Sequence, residues 1–143
     1  MVREWFLVPA SCPKANQRKS VFNLNACDNE FEKEFARFLD KAEDVQAFAK
    51  LPDTFGFSIE YADVSYNLRN YYPDFVAVDS EGTRWLIETK GMESEETAYK
   101  DRAAELWCEN ATTLTKKQWK YKKVPQTKFQ ELQPSRLIDL NVI

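Results

Sequence analysis

Pro73-Asp74 opens one apolar run of the chain, and Glu88-Thr89-Lys90 closes the next. If the two runs pair as a β-hairpin, the Asp and the Glu meet across the strands with an ammonium group beside them. Two carboxylates and a lysine in one place equip a metal-dependent phosphodiesterase. The carboxylates can hold a hard divalent cation, and the lysine can face the charge that develops on phosphoryl oxygens. An acid-x-Lys triplet occurs once in the 143 residues. Pro-Asp occurs twice, at Pro52-Asp53 and Pro73-Asp74, but only the second begins a run that can pair with Glu88. Proline is tolerated at a strand start because its missing N–H need not join the ladder.

Composition narrows the chemistry. The chain has no histidine, which excludes Ser-His-Asp and Cys-His triads, His-ligated zinc and a His general base. The hydrolytic chemistry that survives uses Asp, Glu, Lys and Tyr with a hard metal such as Mg²⁺. Its three cysteines are scattered, odd in number and form no CxxC, the pattern of reduced thiols in a cytoplasmic protein. No stretch reads as a membrane span or signal peptide. The net charge of −3 is unusual for a domain that grips DNA unaided. Affinity for DNA would come from a local patch or from other domains. The length fits a single domain, residues 1–143, with a core at about 20–130.

The elements that must position the site follow from periodicity. A strand is expected at Glu4 to Val8 and another at Val21 to Leu24. Asp28 or Asn29 reads as an N-cap, with Glu30 and Glu32 favouring the first turn. Phe31, Phe35, Phe38, Leu39 and Ala42 recur at helical spacing, so a helix is predicted over Glu30 to Glu43. Val45 to Lys50 reads as a strand. Phe55, Phe57, Ile59 and Tyr61 alternate with polar residues and predict a half-buried strand. Asp63 to Asn70 reads as a polar connection. Tyr71 to Val78 and Thr83 to Thr89 form the hairpin across Asp79-Ser80-Glu81-Gly82. Ser94 to Asn110 predicts an amphipathic helix with Ala98, Ala103, Leu106 and Trp107 inward. A last sheet strand at Gln118 to Val124, a short helix at Thr127 to Leu132 and a tail complete the chain. The fold class is α/β, a central mixed sheet flanked by helices.

A register centred on Glu81 sets Asp74 opposite Glu88, Val76 opposite Leu86, and Val78 opposite Arg84. Alternation then places Asp74, Val76, Val78, Leu86, Glu88 and Lys90 on one face, with Phe75, Ala77, Trp85 and Ile87 on the other. Both faces are apolar near the middle, so the hairpin lies inside the sheet, covered on both sides. Opposed carboxylates there repel and raise each other's pKa unless a divalent cation neutralises them. A solvent-facing salt-bridge cluster with Lys90 is the competing reading.

These residues resemble the PD-(D/E)xK nuclease superfamily, and more closely the C-terminal endonuclease domain of type III restriction enzyme restriction subunits. The likeness is carried by residues 29–52, YYPDF (71–75), WLIETKG (85–91), KDRAAELWCEN (100–110) and WKYKKV (119–124). The resemblance implies a restriction-endonuclease-like fold and Mg²⁺-dependent hydrolysis of DNA phosphodiesters. It makes Asp74 and Glu88 the metal-binding carboxylates, with the backbone carbonyl of Thr89 completing the inner shell. Lys90 would polarise the attacking water and stabilise the transition state. An acidic residue is also implied on the first helix. Glu30, Glu32 and Glu34 are the candidates, and Glu32 shares the sheet-facing stripe of Phe35 and Leu39. The competing role for Glu32 is a first-turn residue satisfying the helix dipole.

Several basic residues could meet nucleic acid. Lys100 on the second helix could reach the scissile phosphate, or simply pair with Glu96. Arg69, Tyr71 and Tyr72 precede the Asp and could touch the DNA backbone, with Tyr72 the better candidate for core packing. Lys117, Lys120 and Lys122 alternate with Trp119 and Tyr121, which fits a phosphate-tracking surface. Lysines guarding an edge strand explain the pattern equally well. The resemblance further implies double-stranded DNA as substrate, with a helicase-like motor domain and a methyltransferase subunit as partners. One active site would nick one strand, so double-strand cleavage would need two copies meeting on DNA. The competing functions are a catalytically idle nuclease-fold module that binds DNA or docks, and a nuclease acting on RNA or branched DNA.

Overall fold

The computed structural model describes residues 12–13, 18–22, 24–25, 27–92 and 94–143. The strand expected at Glu4 to Val8 lies outside them. Two short strands, β1 (Cys12–Pro13) and β2 (Leu24–Asn25), pair with each other. Helix α1 (Glu30–Lys41) follows, capped by Asn29, whose side chain accepts from the Glu32 N–H. The remaining elements are β3 (Val45–Lys50), β4 (Ile59–Ala62), β5 (Leu68–Tyr71), β6 (Phe75–Asp79), β7 (Arg84–Lys90), α2 (Thr97–Thr115), β8 (Trp119–Pro125) and α3 (Gln126–Leu132).

The central sheet has the order β3-β6-β7-β8. The first three strands are antiparallel and β8 runs parallel to β7. A parallel neighbour cannot be reached by a tight turn, so α2 provides the crossover. Val76 lies opposite Leu86 and Val78 opposite Arg84, the register expected from the turn.

The two faces of the hairpin enter different cores. Phe75, Ala77, Trp85 and Ile87 pack with Phe31, Phe35 and Leu39 of α1, Phe129 of α3, and Leu137 and Leu140 of the C-terminal segment. That segment is a 3₁₀ turn over Leu137–Val142, tied down by the N–H groups of Leu137 and Ile138 on Asp44. Leu86 and Val76 pack on the opposite face with Ala104 and Cys108 of α2 and with Ile59, Tyr61 and Tyr71 of the β4–β5 hairpin. This is the layered α/β architecture predicted from the element order.

Three local expectations are corrected. The run from Phe55 to Tyr61 is not one strand. Asp53–Phe55 forms a 3₁₀ turn ended by Gly56 at φ 84°, and pairing begins only at Ile59. The polar connection after Asp63 contains β5, which pairs antiparallel with β4 as a separate two-stranded sheet. Helix α2 buries Thr97, Ala104 and Cys108, whereas Ala98 is exposed and Leu106 is 56% exposed. Tyr71 and Tyr72 also exchange their expected places. Tyr71 is 4% exposed in the core and Tyr72 is 40% exposed.

Among the described residues no helix is long and apolar enough to cross a membrane.

Candidate active site

The site forms where β3 and β7 end and β6 begins. Asp74 immediately precedes β6, and its carbonyl accepts from the N–H of Leu51, just past β3. Its side chain turns toward β7. Asp74 Oδ2 accepts from the Thr89 N–H at 2.8 Å and from Thr89 Oγ1 at 2.7 Å.

The proline before it has a consequence for β7. The ladder bonds Asp79 N to Thr83 O, and the pairs Ala77↔Trp85 and Phe75↔Ile87 continue that phase. The next position would set Pro73 against Thr89. Proline has no N–H, so the ladder offers the Thr89 carbonyl no donor there. An oxygen freed in this way, beside two carboxylates, suits a divalent cation.

Glu88 points to the α2 face, and its Oε2 accepts from the Tyr71 hydroxyl at 3.0 Å. Burial, and after it the charge of Asp74, pushes the Glu88 carboxyl up to about 8. Two carboxylates that resist ionising together form a site prepared for positive charge. Lys90 ends β7, half-buried, and its charge favours the ionised form of Glu88. Asp101 of α2 accepts from the Tyr121 hydroxyl at 2.7 Å and from Lys123 at 2.8 Å. Lys123 is the register partner of Glu88. The Tyr71 and Tyr121 phenols, both buried against carboxylates, titrate far above the ordinary tyrosine range.

On the α1 face, Glu32 is 4% exposed. Its Oε2 accepts from the Asp28 N–H, and burial raises its carboxyl above the usual range. Glu32 therefore serves the helix N-terminus and faces the sheet at once. Glu30 instead pairs with Lys33 on the surface, and Glu34 accepts from Gln130 at 3.3 Å.

The basic residues named from sequence spread out. Lys100 lies on α2 with its Nζ 5.9 Å from the centre of the Tyr61 ring, one residue before Asp101 and so at the site end of the helix. Arg69 holds Asp63 at 3.0 Å. Lys120 lies over the Trp85 ring and donates to Asn141, while Lys122 donates to the Ile143 carbonyl. Both are turned to the C-terminal segment. Lys117 precedes β8, at the opposite end of the sheet from Lys90.

Sequence reasoning missed Lys50. It is 3% exposed, with its Nζ 3.9 Å from Glu32 Oε2 and 3.7 Å from Asp74 Oδ1. A signal was present. Lys50 shares a strand face with Phe48 and pairs with Phe75, and a lysine so placed needs a carboxylate partner. The role of Tyr71 as the donor to Glu88 is also absent from the sequence reading, which starts the hairpin strand at Tyr71, whereas Tyr71 ends β5 and the hairpin strand begins at Phe75.

An endonuclease-domain family model matches residues 18–131 of the chain. No curated protein and no solved structure matches it.

Proposed function

Because the chain belongs to the endonuclease-domain family, we propose that it is a Mg²⁺-dependent DNA endonuclease domain, the cleavage module of a type III restriction-modification system. The observation that carries this reading is that Asp74 and Glu88 meet across the open end of one hairpin, where burial and the charge of Asp74 raise the Glu88 carboxyl above the usual carboxylate range. Asp74, Glu88 and the Thr89 carbonyl would hold the metal. Mg²⁺ supplies positive charge that lets both carboxylates ionise and acidifies water. The chain's own groups do the rest. The Thr89 N–H and hydroxyl fix Asp74, and the Tyr71 hydroxyl fixes Glu88. Lys90 orients the attacking water and faces the negative charge on the phosphoryl oxygens as it grows.

The substrate is double-stranded DNA, nicked one strand at a time, with two copies meeting on DNA for a double-strand break. A net charge of −3 and the inward turn of Lys120 and Lys122 leave little basic surface for the grip. That favours a helicase-like motor domain and a methyltransferase subunit as the source of affinity and sequence choice.

Thermal unfolding with and without Mg²⁺ tests the metal site. A saturating ion stabilises the folded state by about 2.7 kcal/mol at a hundred times its dissociation constant. The parent should gain stability from Mg²⁺ while Asp74→Ala does not. Equal curves for the parent with and without Mg²⁺ would favour an idle nuclease-fold docking module.

A further inference from the structure

We infer that Lys50 is a resident cation whose ammonium takes the seat of a second divalent ion and limits the site to one metal. The inference rests on the metal-binding reading of Asp74 and Glu88 given above.

Three observations lead to it. First, Lys50 ends β3 almost wholly out of solvent, above the Phe75 ring at 5.7 Å. A buried ammonium costs several kcal/mol unless opposite charge meets it, so its presence requires compensation. Second, the compensation comes from two separate elements. Glu32 of α1 and Asp74 before β6 both face the Nζ, at 3.9 and 3.7 Å. These distances lie within ion-pair range but beyond a direct hydrogen bond, and Nζ makes its hydrogen bond to the Leu51 carbonyl. One ammonium thus faces two carboxylates from separate elements, the position a bridging cation would take. Third, no three Asp, Glu, His or Cys side chains converge on one point among the described residues.

Two-metal phosphodiesterases need a carboxylate shared by ions about 3.5–4 Å apart, with a further acid beyond it. Asp74 is placed to be shared. Its Oδ2 accepts from Thr89, while its Oδ1 faces the Lys50 ammonium. Glu32 is placed to be the outer acid, and Lys50 fills the gap between them. Charge agrees with one ion. With all groups ionised, Glu32, Asp74 and Glu88 against Lys50 and Lys90 leave a net charge of −1. A single Mg²⁺ already carries that past neutrality, and a second would enter a positive pocket.

Counting bound Mn²⁺ per chain by titration calorimetry, with free Mn²⁺ read by paramagnetic resonance, tests this on the parent and on Lys50→Met. The expected counts are one for the parent and two for the variant. None in the parent and one in the variant would show a seat opened by removing Lys50, but would overturn the one-metal limit together with the metal reading of Asp74 and Glu88. One in each, or two in each, would overturn the inference and leave the nuclease reading standing. None in either would overturn both. If Lys50→Met does not fold alone, refolding it in Mn²⁺ reads the same seat, and failure of the ion to restore cooperative unfolding would count against the inference. The double variant Glu32→Gln/Lys50→Met leaves Asp74 as the sole carboxylate at that seat, so it should fold without metal and return to one ion. Two ions there would also overturn the inference.

Discussion

The β6–β7 hairpin carries an aspartate at each end, and the two are treated differently. Asp79, at the turn, is 8% exposed and fully employed. Its oxygens accept from the N–H groups of Glu81 and Thr83 and from the Trp85 indole, all at 2.9 Å. Asp74, at the open end, has one oxygen held by Thr89 and the other turned to a lysine beyond hydrogen-bond reach, with a second carboxylate beside it. A carboxylate surrounded by donors stabilises a fold. A carboxylate set against another carboxylate strains it and is ready to bind a cation. The same residue type on one hairpin therefore does structural work at one end and chemical work at the other.

Exchanging the damage should separate the two ends. Asp74→Ala should lower DNA cleavage by about a hundredfold to a thousandfold, the scale of losing one group that stabilises a transition state. Its circular dichroism spectrum should match the parent's, and in the absence of metal it should lose less stability than Asp79→Ala, because relief of the Asp74–Glu88 repulsion offsets the lost contacts to Thr89 and Lys50. Asp79→Ala should do the reverse. It leaves the buried Trp85 indole and two turn N–H groups without their acceptor and should cost about 2–4 kcal/mol in chemical denaturation, with cleavage per folded molecule unchanged. If both variants lose stability equally, the contrast between the ends is wrong.

Tyr71→Phe sharpens the comparison at the open end. It keeps the ring in the core and removes the hydroxyl, which bonds to Glu88 and to Tyr121. Turnover should fall about tenfold, in line with roughly 1.4 kcal/mol for a hydrogen bond to a charged group, while KM stays near the parent's. A change confined to KM would assign the hydroxyl to substrate binding instead.

The smallest effect is on metal-free stability against pH. Glu88 holds its proton more tightly when folded than when unfolded. The stability linked to that proton is fully present below the ordinary carboxylate range, at about pH 4.5, and is lost as pH rises through about 8. Glu32 acts in the same direction. Melting temperatures of metal-free parent and Glu88→Gln should therefore diverge from pH 5 to pH 8, with the variant increasingly the more stable. Parallel curves would mean that Glu88 ionises without penalty.

The open end was legible in sequence because its signals are local. Period-2 alternation set the register, and a proline marked the strand start. The β4–β5 hairpin was not legible, for physical reasons. Gly56 breaks the alternation that runs from Phe55, and Leu68, Arg69 and Asn70 are all exposed, so backbone pairing holds β5 without a side-chain pattern. The phase of α2 was misread because Leu106 and Leu114 face outward while the small residues Thr97, Ala104 and Cys108 meet the sheet. For Lys50 the local signal, its place on the apolar face of β3, stops short of its partners, which come from a helix and a strand start far from it along the chain. No local pattern reports a charge that is balanced only by tertiary contact.

The most direct test is cleavage of supercoiled plasmid by the parent and by Lys90→Ala, at matched folding, with Mg²⁺ and with chelator. Removal of the ammonium at the end of β7 should abolish nicking that the parent performs only with Mg²⁺. A variant that nicks as fast as the parent would contradict the assignment of this end of the hairpin as the active site.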